Sequence, residues 1–250
     1  SHDTAWLNEH LPDDGSVILN DVTVALTCFG IWGPLTREML ATITDADLST
    51  QAMPFLSMRE IRLGNYPVQL VRVTFVGELG YEIYADAKDG RAIWEMLWAA
   101  GKPFGMVASG YKAIDALRPE KGYLYWGSDI SAETTPYEAG LGFAVAKNKD
   151  FLGKKAMQEK ALKKKLVTIQ LEDPLAVVLG NEPVQMDGKI SGRVTSGAYG
   201  AGTGISIAFA YLPLEQGIVG KNIEVLVFGN WIPGTIVQGP IYDPKGVKVR

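Results

Sequence analysis

One cysteine and two histidines serve the whole 250-residue chain, and that scarcity removes several kinds of chemistry at once. With Cys28 alone, no intramolecular disulfide can form and no cysteine zinc cluster can be built, which fits a reducing compartment such as the cytoplasm or a mitochondrial matrix. His2 and His10 both lie near the N-terminus, leave little for a histidine triad or a multi-histidine metal site, and are read as surface residues. No stretch approaches the roughly 20 continuous apolar residues of a membrane span, and the N-terminus lacks the order of a signal peptide. An excess of one charge is also missing: 24 basic against 28 acidic residues leave a net charge of −4, with the basic ones scattered. No field draws such a chain to nucleic acid or to an anionic membrane, so a small neutral or mildly charged ligand suits it better. Internal repeats and low-complexity tracts are absent.

What is present is hydrophobic patterning with clear punctuation. Val17, Leu19, Val22, Val24 and Leu26 alternate well enough to predict a strand over residues 16–29, followed by a Gly-Pro break and a short helix over 35–42. Residues 59–63 and 68–76 read as strands paired across Gly64-Asn65, with another short strand over 81–85. Ala92, Ile93, Met96, Leu97 and Ala100 fall at helical spacing, with Asp89 placed to cap that helix. A second helix over 109–118 should bury Ala113, Ile114 and Leu117 and stop before Pro119, which lacks a backbone donor. Together these give an α+β layer.

Beyond it the pattern changes. Residues 153–165 are basic and helix-prone, and from there to the C-terminus short strands alternate with Gly, Pro and Asp turns. Asp187-Gly188 is a two-residue hairpin signal, and 205–212, 223–228 and 231–238 supply further strands, so a small β-barrel or sandwich is expected. The boundaries drawn are 1–150 for the α+β domain, 151–165 for a linker helix and 166–250 for the barrel. The lysines at 163–165 are read as a solvated face favoured by a helix C-terminus rather than a nucleic-acid patch. Gly200-Ala-Gly-Thr-Gly leads into a strand rather than opening a helix, and so reads as a barrel loop, not a dinucleotide fingerprint.

Three stretches carry a family resemblance: Val76-Gly-Glu-Leu-Gly-Tyr-Glu-Ile-Tyr, Leu117-Arg-Pro-Glu-Lys-Gly-Tyr-Leu-Tyr-Trp-Gly-Ser-Asp-Ile and Thr135-Pro-Tyr-Glu-Ala-Gly-Leu-Gly-Phe. Asp150-Phe-Leu-Gly-Lys-Lys-Ala and Gly192-Arg-Val-Thr-Ser-Gly follow in the same order. The chain resembles the aminomethyltransferase (glycine-cleavage T-protein) family over nearly its whole length. Trp126 and residues 23–32 look closer to the folate-binding module of dimethylglycine and sarcosine dehydrogenases and oxidases than to the free T-protein.

The resemblance implies a folate-binding α+β domain, incomplete at its N-terminus, followed by a C-terminal β-barrel. It implies tetrahydrofolate as cofactor, held by Phe75, Glu82, Ile83, Tyr84 and Phe143, and transfer of a one-carbon unit at the aminomethyl or methylene level. It also implies a partner, either a flavin-dependent amine dehydrogenase domain or the glycine-cleavage carrier protein. Glu82 suits this role chemically, because a pterin presents an N–H and an amino group side by side and a carboxylate accepts both. Read without the motif, Glu82 is a solvent-facing strand residue, and Tyr123, Tyr125 and Trp126 are core aromatics. Glu78 and Asp129 are read as structural acceptors rather than as acid or base.

The sequence departs from the family at Ile114, where T-proteins carry an arginine, and at Pro119, where an aliphatic residue is usual. The family's catalytic aspartate is expected upstream of Ser1, so no catalytic residue is assigned. Two other readings remain: a non-catalytic folate-binding protein of assembly or regulation, and a remnant without binding. The related iron–sulfur assembly branch has a cysteine after Lys-Gly, where this chain has Tyr123.

Overall fold

Four antiparallel strands, β1 (Leu26–Trp32), β2 (Met58–Leu63), β3 (Tyr66–Val71) and β4 (Gly80–Asp86), lie side by side in the order β1-β4-β3-β2. The computed structural model describes all 250 residues, and this sheet belongs to the first of its two units, Ser1–Val73 with Gly80–Met106. On β4, Tyr81, Ile83 and Ala85 are buried while Glu82 and Tyr84 are half-buried, the alternation that gives a strand two different faces. The buried side chains of α2 (Thr36–Leu40), Met39 and Leu40, and of α3 (Gly90–Gly101), Ile93 and Leu97, complete this unit's core with Leu63, Val68 and Leu70. A fully buried aliphatic side chain such as Ile83 contributes about 1.5–3 kcal/mol.

Several local expectations hold in detail. Gly64 adopts φ +53° in the turn that joins β2 to β3, with Leu63 facing Tyr66 across it. Others shift. Residues 16–25 form no strand and Val24 is 90% exposed, because pairing to β4 begins only at Leu26 and runs to Trp32 opposite Gly80. The helix α1 (His2–Glu9) buries none of its residues, and the His10 ring stacks on Trp6. β3 stops at Val71 rather than reaching Val76. Asp89 stands at the α3 N-cap but makes no capping bond, since a 3-10 turn over Ala87–Asp89 already carries its backbone in helical geometry.

The second unit comprises Thr74–Leu79 with Val107–Arg250. Its helix α4 (Tyr111–Leu117) half-buries Ala113, Ile114 and Leu117 and gives way to a 3-10 turn over Pro119–Lys121. Six strands close a barrel in the order β10-β5-β8-β7-β6-β9: β5 (Lys164–Leu171), β6 (Pro183–Met186), β7 (Lys189–Gly200), β8 (Ile205–Pro213), β9 (Asn222–Val227) and β10 (Asn230–Val237). Closure leaves no free sheet edge. Val167, Ile169, Val184, Val194, Ala210 and Val225 are among the side chains that fill the interior. Asp187 and Gly188, both with positive φ, turn β6 into β7, as a two-residue hairpin requires. The glycine-rich stretch at 200–204 is the turn between β7 and β8.

The helix expected over 153–165 is shorter. α5 spans Lys154–Glu159, and Lys164 and Lys165 enter β5, with Lys164 Nζ 4.7 Å from the centre of the Tyr211 ring. The lysine run therefore does not sit at a helix C-terminus. No residue between 146 and 163 is buried, and the segment carries six lysines. Trypsin should cut first there, between Lys147 and Lys163, as read by mass spectrometry of early fragments; a first internal cut within 77–90 would contradict the linker assignment.

Candidate functional site

The face of the first unit's sheet that turns away from Tyr81 and Ile83 gathers the polar groups. Antiparallel register sets Gly80, Glu82 and Tyr84 of β4 opposite Trp32, Gly30 and Cys28 of β1, and β3 adds Val71 and Gln69 opposite Glu82 and Tyr84. The Tyr84 hydroxyl donates to Glu82 Oε2 at 2.7 Å, fixing the carboxylate and leaving Oε1 free of protein donors. That bond, with burial adding to it, holds the Tyr84 phenol well above the ordinary tyrosine range, since the phenolate would face a carboxylate. Ile83 is fully buried on the opposite face, so it can reach a ligand beside Glu82 only through its main chain.

Trp32 is the residue the sequence reading passed over. A Cβ added at Gly80 would lie 2.1 Å from Trp32 Cδ1, and one added at Gly30 would lie 2.4 Å from Cη2. The indole is therefore laid flat across two glycines on the same face as Glu82. Both glycines have negative φ, so they are there for space rather than for an unusual backbone. Trp32 Nε1 is buried and has no protein acceptor. A glycine within β1 and another opening its partner β4 were the signal that could have disclosed this seat.

Phe75 and Phe143 belong to the second unit. Phe75 stacks on Tyr123 with ring centres 5.8 Å apart and planes 3° from parallel, and it is tilted against Tyr125 at 6.5 Å. Phe143 is 86% exposed at the mouth of a cleft of about 530 Å³ lined also by Tyr123, Leu141, Lys165, Phe209 and Ile236. Tyr123 thus touches Phe75 and lines the cleft. Tyr125 and Trp126, expected in the core, are 47% and 62% exposed, because the chain here runs through turns instead of a strand or helix that could bury one side.

Polar networks brace this unit. Asp129 accepts from Arg118 Nη1 at 2.6 Å, Thr195 Oγ1 at 2.6 Å and the Tyr125 amide at 2.9 Å. Glu78 accepts from Tyr242 and from Lys248, and Lys121 Nζ pairs with Asp243 Oδ2 at 2.8 Å. Burial pushes the Glu120 carboxyl up, against bonds from the Gly202 amide and Thr203 that pull it down. Both sequence-assigned structural acceptors, Glu78 and Asp129, are bonded into the fold. No helix is long and apolar enough to cross a membrane.

The family model described as the GCVT N-terminal domain matches residues 1–149, and that of the glycine cleavage T-protein C-terminal barrel domain matches 164–243. The chain belongs to the glycine-cleavage T-protein family. It is 37% identical over 255 residues to the mitochondrial dimethylglycine dehydrogenase of Rattus norvegicus, a match that covers all of this chain and 30% of that one. It is 33% identical to the aminomethyltransferase of Symbiobacterium thermophilum over 96% of this chain and 66% of the relative. The crystal structure of glycine cleavage system aminomethyltransferase T from Bartonella henselae superposes with a TM-score of 0.76 at 26% identity, over 88% of this chain and 60% of that one. The T-protein-type α+β part and barrel are thus shared with dehydrogenases and free aminomethyltransferases alike, and the chain spans no more than 30% of the length of the dehydrogenases it matches.

Proposed function

We propose that this aminomethyltransferase-type module binds tetrahydrofolate and serves one-carbon transfer at the aminomethyl or methylene level. The observation that carries this reading is Glu82, a half-buried carboxylate held by Tyr84 with Oε1 free, beside a flat indole with an unpartnered N–H. That arrangement fits a pterin. The carboxylate accepts the adjacent N–H and amino group, and a flat ring gains from aromatic contact. Tetrahydrofolate, when bound, supplies the nitrogen that takes up the one-carbon unit; this chain's own residues bind and orient it. In the second unit, Phe75 is proposed as an apolar contact backed by Tyr123, and Phe143 as another at the mouth of its cleft. The similarity to dimethylglycine dehydrogenase favours a flavin-dependent amine-oxidising domain as the working partner, and similarity to aminomethyltransferases favours the glycine-cleavage carrier protein in the same role.

Isothermal titration of the chain with tetrahydrofolate tests the reading. Glu82→Gln should weaken binding by about tenfold to a hundredfold, because hydrogen bonds to a charged group contribute roughly 1.5–3 kcal/mol and an amide cannot accept both donors. Glu60→Gln, exposed on β2, is the control and should bind as the parent does. Equal affinity of parent and Glu82→Gln would remove Glu82 as the anchor. A parent that takes up no folate at millimolar concentration would remove the reading itself.

A further inference from the structure

Trp32 has a place built for it. Its indole runs from Gly80, where an added Cβ would meet Cδ1 at 2.1 Å, to Gly30, where one would meet Cη2 at 2.4 Å and Cζ2 at 2.5 Å. Any side chain at either position would push the ring off the sheet. Gly30 is the cross-strand partner of Glu82, and Gly80 precedes Glu82 on the same face of β4, so indole and carboxylate are neighbours by register. Tyr84 restrains the carboxylate from the other side along the strand, with Cys28 as its own cross-strand partner. The face thus offers a rigid flat surface and an oriented hydrogen-bond acceptor side by side.

The two features recognise different parts of a ligand. The carboxylate reads an edge that carries two adjacent donors, and a single ring of the 2-aminopyrimidin-4-one type has that edge as fully as a pterin does. The indole reads the extent of the flat surface, because contact with an aromatic plane grows with the ring area laid against it. We propose that Trp32 is a specificity-determining residue that selects a bicyclic pterin-like ring over a monocycle with the same hydrogen-bonding edge. This rests on the folate reading above and adds to it the division of labour between Glu82 and Trp32.

The test compares 6-methyltetrahydropterin with 2-amino-6-methylpyrimidin-4-one by calorimetry on the full chain. The parent should prefer the bicycle, and Trp32→Leu should reduce that preference about threefold to tenfold by weakening the bicycle more than the monocycle. Trp32→Phe should keep most of it. Glu82→Gln should weaken both ligands by the same factor and leave the ratio unchanged. If Trp32→Leu does not fold, as judged by circular dichroism, Gly30→Ala displaces the indole instead and should lower the ratio in the same direction. A folded Trp32→Leu, or failing it a folded Gly30→Ala, with the parent's ratio overturns the inference while leaving Glu82 and the folate reading in place. A parent that binds neither ligand overturns both.

Discussion

Replacing Asp129 with alanine is expected to destabilise the second unit by about 3–5 kcal/mol, the cost of leaving a buried charge without its partner. The Asp129 side chain is wholly buried and that of Arg118 is 5% exposed, so water cannot replace the lost carboxylate. Two donors would lose their partner together, the Tyr125 amide and, apart from a longer contact to the Phe209 carbonyl, the Thr195 hydroxyl, while Arg118 Nη1 would lose its carboxylate. Arg118 would keep Ser196 Oγ at 2.8 Å, the Tyr123 carbonyl at 3.1 Å and the exposed Asp115 at 3.4 Å, which do not neutralise it in place. For a chain of this size the loss corresponds to a fall of roughly 6–20 °C in melting temperature, measurable by scanning calorimetry. Asp129→Asn keeps one acceptor oxygen for the Tyr125 amide and can donate its NH2 to Thr195 Oγ1, so it should fall less. The paired change Arg118→Met with Asp129→Leu should recover much of the loss, since an apolar pair carries no desolvation penalty. A loss under about 1 kcal/mol for Asp129→Ala would show that the network does not brace the unit.

Lys121→Met is expected to cost a similar amount, about 3–5 kcal/mol, and to make the C-terminal segment acid-sensitive. Both side chains of the Lys121–Asp243 pair are about 6–7% exposed, and Asp243 also accepts the amides of Val247 and Lys248. Burial alone would raise the Asp243 carboxyl, but the Lys121 hydrogen bond and the two amides outweigh it and hold it below the usual carboxylate range. A depressed folded value means that this stabilisation is complete above the unfolded carboxylate range near about pH 4 and is lost as pH falls through the folded value. In the parent, the Val247 and Lys248 amides should therefore stay protected from hydrogen exchange, relative to their intrinsic rates, down to about pH 4. Without Lys121 the burial cost is uncompensated, so protection should fail at higher pH. Unchanged protection of these amides in Lys121→Met would show that Asp243 holds the segment without its cation.

Much of this molecule could be read residue by residue. The Asp187-Gly188 and Gly64-Asn65 turns, the helix of α3 with its buried Ile93 and Leu97, and the stop before Pro119 all follow from demands that a few neighbouring residues make on their own backbone. The alternation of β4 told which of its residues face the core, and the motif around it told which residue of the other face to watch. The same local rules misplaced the first strand. Residues 17–24 alternate as a strand does, yet they have nothing to pair with, and a strand exists only where a second strand supplies its hydrogen bonds.

By itself, then, the sequence determined most of the element types, the hairpin turns and the family, and singled out Glu82 as a candidate, because periodicity, left-handed turns and short motifs are properties of residues close along the chain. Only the tertiary structure decided that Tyr84 spends its hydroxyl on Glu82, that Ile83 points away from it, and that Trp32 lies across Gly30 and Gly80. It alone paired Lys121 with Asp243, 122 residues away, and joined Asp129 to Thr195 in the barrel. These contacts depend on strand register and on closure of the barrel, where one residue of slip exchanges the faces of a strand, and no local pattern specifies which distant partner will complete them.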